Sequence, residues 1–211
     1  LDETLASEER KAQANGPVGE LLVRGPSISE GYWNRPDATE AVFTDKGWFR
    51  TGDIIERTAD GYLIYHDRSK QILVLDTGKN VAPQRIEDKF ATSERVDQVM
   101  VLGDGRKFVG ALVVPNFGAV RRWAAAEGIE LPEDDEAICA DERVHDYIEA
   151  EVETVNQTLS EYERIKEFRL VPVEWTAEND LLTPSMKIKR RHVYECFAAE
   201  ISDIYGDTVE C

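Results

Sequence analysis

Long apolar stretches are missing from this chain: nowhere do about eighteen consecutive apolar residues occur, and no basic-then-apolar leader opens it. A membrane-spanning helix and an export signal are not expected, and the expected location is cytoplasmic. Cysteine is scarce as well. Cys139, Cys196 and Cys211 are odd in number, widely spaced and without a CxxC pair, so neither a disulfide framework nor a zinc site is indicated and no metal ligands are assigned. His66, His145 and His192 are equally scattered. Positive charge is the third shortage, with 25 Lys and Arg against 42 Asp and Glu, a net charge of −17, and lysine rarer than arginine. A surface of that sign repels nucleic acid and anionic lipid, so neither is an expected partner. At molar salt the screening length falls to about 3 Å, which removes most of the self-repulsion of such a chain. A salt-adapted protein is the expectation; the other reading is an ordinary acidic surface with a charged tail at Leu131-Pro132-Glu133-Asp134-Asp135-Glu136.

What is present suits one large domain or a small domain plus a piece of a neighbour, and 211 residues allow either. The second is expected, and without an initiating methionine the chain is expected to begin mid-protein. Gly19 to Arg24 alternates into a strand that stops at Gly25-Pro26. Short extended runs follow at Ile54 to Arg57 and Tyr62 to His66, joined by Ala59-Asp60-Gly61, whose Asp-Gly pair reads as a hairpin turn. The texture changes after Asp67-Arg68. A strand near Ile72 to Leu75, a turn at Thr77-Gly78-Lys79-Asn80 and a helix opened by Pro83 and running to about Ser93 come next. Val99 to Leu102 and Phe108 to Val114 flank Gly103-Asp104-Gly105 as a second hairpin, followed by helices near Phe117 to Glu127 and Glu142 to Leu159, a strand at Phe168 to Val171, and a last helix from about Lys187 to Ile204. The fold class is therefore α+β: a β-rich opening, then a small sheet covered by helices.

Two segments carry chemistry. Trp48-Phe49-Arg50-Thr51-Gly52-Asp53 puts the Asp53 carboxylate at a glycine turn, where it can accept from two adjacent hydroxyls such as those of a ribose; a simple capped turn fits the same residues. Arg68 offers a planar fork of donors to the same sugar or to a phosphate, or else a surface ion pair to Asp53. Gly78-Lys79-Asn80 gives a tight turn with exposed backbone donors and one cation, able to face a phosphate- or thiol-bearing ligand, or to be a plain loop. Thr183-Pro184-Ser185-Met186-Lys187-Ile188-Lys189-Arg190-Arg191 concentrates cations in an otherwise acidic chain. Like charges at a helix start oppose the helix dipole, so a purely helix-stabilising role for this cluster is a poor explanation and Lys187 is a functional candidate.

Together with Gly19-Glu20-Leu21-Leu22-Val23-Arg24-Gly25, Gly31-Tyr32-Trp33, Asp67-Arg68-Ser69-Lys70 and Gly78-Lys79-Asn80-Val81-Ala82-Pro83, these motifs stand in the order and spacing of the AMP-forming acyl-CoA synthetases. The resemblance covers nearly the whole chain and is strongest to the long-chain fatty acid branch of that adenylate-forming superfamily. It implies a two-step reaction with ATP and coenzyme A, through acyl-AMP, on a fatty acid substrate. By resemblance, Asp53 holds the ribose hydroxyls, Arg68 assists there, Lys70 is the hinge of a swinging C-terminal domain, Lys187 is the adenylation lysine, and Gly78, Lys79 and Asn80 form the loop on the coenzyme A side. Mg²⁺ is implied for a full enzyme but not as a ligand of these residues. Thr77 stands where some relatives carry lysine, and Met186 where others carry glycine.

The family's phosphate-binding loop, its adenine-stacking segment and its acyl tunnel do not occur in these residues. The chain is therefore expected to be a C-terminal portion, with residues 1–66 the edge of a large N-terminal domain and residues 67–211 the mobile domain. Two other readings stay open: a non-catalytic binding or interaction module with the same fold, and an adenylating enzyme that loads a carrier protein.

Overall fold

The computed structural model describes residues 18–69 and 71–206, together with the backbone of Thr4–Leu5. The chain divides into two compact units, Leu1–Ile72 and Leu73–Cys211. The described elements are mixed α+β.

The first unit is a four-stranded antiparallel sheet in the order β1 (Thr4–Leu5), β2 (Val18–Val23), β3 (Phe49–Arg57), β4 (Leu63–Arg68). The Asp60-Gly61 turn joins β3 to β4, with the Gly61 N–H donating to the Thr58 carbonyl at 2.9 Å. Strand β3 begins earlier than its apolar residues alone suggest, at Phe49, so the Phe49 to Asp53 segment is itself strand. A short helix, α1 (Pro36–Val42), was not expected: it buries none of its residues, so it leaves no apolar periodicity to read.

The second unit is built on a three-stranded sheet, β7 (Val96–Leu102), β8 (Val109–Pro115) and β9 (Ile165–Leu170), in that order, with β7 antiparallel and β9 parallel to β8. Ahead of it a two-stranded ribbon, β5 (Leu73–Val74) and β6 (Asn80–Val81), leads into α2 (Pro83–Glu87). Every residue of β8 is buried, as an unbroken apolar run requires of a central strand covered on both faces. The alternation of strand side chains explains the two cores. Val99, Val101, Val109, Ala111 and Val113 face one cluster, while Met100, Leu102, Leu112 and Val114 face the other.

The first face is covered by α5 (Glu142–Asn156), which buries Val144, Ile148, Val152 and Val155 along one stripe. Helices α3 (Phe117–Glu127) and α4 (Asp135–Cys139) join the same cluster through Val120 and Ile138. The second face takes α6 (Arg190–Cys196) and α7 (Ala198–Tyr205) through Val193, Ile201 and Ile204.

Three expectations are corrected. The helix from Pro83 ends at Glu87 and tightens into a 3-10 turn over Asp88–Phe90 instead of reaching Ser93. The acidic Leu131 to Glu136 tract is not merely a tail: Asp134 caps α4, accepting from the Ala137 N–H at 3.0 Å, and Asp135 pairs with Arg121 at 2.6 Å. Carboxylates gather there because a helix N-terminus favours negative charge. The last helix starts at Arg190, not Lys187, and breaks at Phe197 into α6 and α7.

Candidate active site

In the first unit the structure brings Asp53 and Arg68 together. They face each other across β3 and β4, and Arg68 Nε lies 2.8 Å from Asp53 Oδ1. Gly52 and Asp53 lie within β3 and not at the expected glycine turn, and the backbone there is held tightly. Gly52 adopts φ +75°, its N–H donates to Glu20 Oε1 at 3.2 Å, and its carbonyl accepts from the Ser69 N–H at 2.7 Å. That left-handed φ is open to glycine without steric cost. The Asp53 N–H donates to Thr51 Oγ1 at 3.0 Å, and Thr51 in turn donates to the Leu21 carbonyl at 2.9 Å. The backbone at Asp53 is thus held on both sides and the carboxylate is held by Arg68, while a quarter of the side chain remains exposed. Sequence reasoning missed Tyr65, on the strand opposite. Burial, then the Asp67 and Asp53 carboxylates, push its hydroxyl pKa up, against the pull of Arg68. Only the register of β4, shifted by a bulge after Ile54, places Tyr65 in this group.

In the second unit Gly78 lies in the exposed turn between β5 and β6, at φ +76° with open space around its Cα. Its N–H donates to the Leu75 carbonyl at 2.8 Å, and the Leu75 N–H donates to the Lys79 carbonyl at 2.9 Å. Lys79 reaches back over the Tyr162 ring, 5.5 Å from its centroid, and Asn80 is exposed. Lys70 lies outside the described residues.

Lys187 is in a tight hairpin closed by a bridge between Leu182 and Ile188. The Thr183 N–H donates to the Lys187 carbonyl at 2.8 Å, the Lys187 N–H to Thr183 Oγ1 at 3.0 Å, and the Met186 N–H to the Thr183 carbonyl at 2.8 Å. Pro184 pre-sets the first corner, and Met186 occupies the left-handed position at φ +61°. The three neighbouring cations are all engaged. Lys189 pairs with Asp180, Arg190 with Glu87, and Arg191 with Glu195 at 2.9 Å. The Lys189 hydrogen bond, then its charge, hold the Asp180 carboxyl below the usual range; His192 Nδ1 also lies 2.8 Å from Asp180. Lys187 is exposed at the hairpin end and has no ion-pair partner among the described residues.

Among the described residues, His145, Asp146 and Glu149 on α5 bring ligand-capable atoms within 4.8 Å of one another. His145 stacks on Phe168 at 4.3 Å, and exposed carboxylates beside it are ordinary in so acidic a chain.

Residues 70–209 match the AMP-binding enzyme C-terminal domain. The chain belongs to that family. A long-chain-fatty-acid–CoA ligase of Mycobacterium tuberculosis is 40% identical over 195 residues, covering 89% of this chain and 31% of the relative. A long-chain-fatty-acid–CoA ligase of Schizosaccharomyces pombe is 33% identical over 206 residues, covering 95% of this chain and 30% of the relative. This member of the AMP-binding C-terminal family therefore spans about a third of the length of the curated relatives it matches. Among solved structures, the adenylation domain of a carboxylate reductase from Mycobacterium chelonae superposes with a TM-score of 0.75 at 28% identity, over 93% of this chain and 29% of that one. The A domain of a carboxylic acid reductase from Segniliparus rugosus, in complex with AMP and a carboxylic acid, gives 0.72 at 28% identity, again over 93% and 29%.

Proposed function

We propose that this chain is the C-terminal portion of an AMP-forming fatty acid–CoA ligase, with residues 67–211 as its mobile domain. In the first step a fatty acid carboxylate oxygen attacks the α-phosphorus of ATP and expels pyrophosphate, giving acyl-AMP. In the second, the coenzyme A thiol loses its proton and attacks the acyl carbonyl, expelling AMP. Asp53 accepts from the two ribose hydroxyls, and the guanidinium of Arg68 both fixes that carboxylate and faces the sugar. Lys187 offers its ammonium to the carboxylate and phosphate oxygens as charge gathers there. Gly78, Lys79 and Asn80 line the approach of coenzyme A, and Lys70 is the point about which the domain turns between steps. Mg²⁺ accompanies ATP and takes no ligand from these residues.

One observation carries this reading. Within a basic run whose other members are tied to carboxylates, Lys187 alone is left unengaged among the described residues, at the end of a hairpin. A helix-stabilising or surface-solvating cluster has no need of that division. The test uses the full-length protein. Lys187→Ala is expected to lower pyrophosphate release on fatty acid addition by roughly 10²–10³, the usual loss for one stabilising donor. Thioester formation from supplied acyl-AMP and coenzyme A is expected to persist. Gly78→Leu reverses the pattern, and Lys70→Pro spares the first step while blocking the turn to the second. Equal losses in both steps for Lys187→Ala overturn the assignment. The A-PCP didomain of the Segniliparus rugosus carboxylic acid reductase, 28% identical over 92% of this chain with a TM-score of 0.72, supports a second reading, in which the acyl group passes to an acceptor other than free coenzyme A. Replacing coenzyme A by a thiol-bearing carrier protein in the second step separates the two.

A further inference from the structure

Strand β7 is the outer strand of its sheet, so alternate residues turn their N–H and C=O away from β8 with no strand to meet them. Val101 is one of these. Its N–H donates to Glu87 Oε1 at 2.8 Å, and its carbonyl accepts from Arg190 Nη1 at 2.9 Å. Glu87 and Arg190 close the ring by pairing with each other, Glu87 only 8% and Arg190 20% exposed. Three residues before Arg190 stands Lys187. Between them the backbone is held by the Lys189 N–H to the Leu181 carbonyl at 2.9 Å and by the Ile188 bridge.

We propose that Arg190 is a positioning residue for Lys187, setting through Glu87 and Val101 where the hairpin leaves the sheet and so where the ammonium stands. The inference rests on the reading of Lys187 as the adenylation lysine. Leu181, Leu182 and Val193 also hold this segment, but apolar burial is non-directional and does not fix orientation. The Lys189–Asp180–His192 contacts are directional, yet Asp180 is 60% exposed and lies in the same segment, so they tie the hairpin to itself more than to the sheet. The guanidinium differs because its rigid fork meets two acceptors at once, a carboxylate and a backbone carbonyl. A lysine keeps the charge opposite Glu87 and loses the fork.

The experiment is a double-mutant cycle in the full-length protein, with the thermal midpoint followed alongside. Arg190→Lys is expected to lower kcat for acyl-AMP formation by about 10- to 100-fold, the effect of a catalytic group displaced by about 1 Å, while KM for ATP and fatty acid changes little. Thioester formation from supplied acyl-AMP is expected to fall far less. Glu87→Gln, which keeps an oxygen for the Val101 N–H, should show the same pattern more mildly. In a Lys187→Ala background, Arg190→Lys is expected to cost nothing further, because its effect runs through the missing ammonium. Multiplying losses in the double variant overturn the proposal, as does a parallel fall of both steps that follows the fraction of folded protein. If Arg190→Lys is silent while Lys187→Ala is damaging, only the positioning role fails. If Lys187→Ala is itself silent in adenylation, the reading of Lys187 fails and the positioning role with it.

Discussion

A single backbone angle at Met186 decides how the Lys187 hairpin is made. The residue sits at φ +61° with its side chain 69% exposed, so it incurs the left-handed penalty and gains little burial in return. Met186→Gly is expected to raise stability by up to about 1 kcal/mol, and Met186→Val to lower it by about 1–2 kcal/mol, because a β-branched residue tolerates positive φ least. Urea unfolding of the two variants checks both signs, and a stabilised valine variant contradicts the hairpin geometry. A second residue-scale outcome concerns Cys139. Burial first, then Asp135, Asp134 and Glu136, push its thiol up to about 12. The thiolate is the reactive form, so at pH 8 alkylation of Cys139 is expected to lag well behind that of exposed Cys196, read peptide by peptide in a mass spectrometer. Equal rates at the two cysteines refute it.

Among the elements, the contact of α7 with β8 has no slack. A Cβ on Gly110 would stand 2.8 Å from Ile204 Cγ2 and 3.0 Å from the Tyr205 hydroxyl. Gly110→Ala is therefore expected to destabilise by about 1–3 kcal/mol through overpacking, lowering the urea midpoint at unchanged m-value. An unchanged midpoint means α7 can move off the sheet freely. The elements also mark how far the sequence can be read. The apolar run of β8 and the stripe on α5 are visible because their periods are local. The end of α2 and the start of α6 are not, because what fixes them is Glu87 bonding to residues 14 and 103 positions away. The same holds for the candidate sites. The types and spacing of Asp53, Arg68 and Lys187 are legible, but the ion pair across β3 and β4, the share of Tyr65 in it, and the division of the basic run into engaged and unengaged cations depend on strand register and on carboxylates elsewhere in the chain.

For the molecule as a whole, charge and completeness are the governing quantities. With a net charge of −17, repulsion among carboxylates is expected to weaken the compact state in dilute buffer and to be screened as salt rises. The thermal midpoint is expected to climb between low and molar KCl; a flat or falling midpoint rejects the salt-adapted reading. Completeness bears on activity. Phosphoryl and acyl transfers draw most of their acceleration from positioning and electrostatics, and one lysine without an opposing wall provides neither. This chain by itself is expected to release no pyrophosphate from ATP and fatty acid above a Lys187→Ala control, and clear release overturns that. A bare outer strand is a template on which another chain can add, the first step of edge-to-edge aggregation. Glu87 and Arg190 occupy the slot at Val101, and the Gln98 side-chain amide bonds the Trp175 backbone at 2.6 and 2.8 Å further along the same strand. The ring at Val101 thus also interrupts strand addition on β7, and a variant that opens it is expected to bare that stretch of edge.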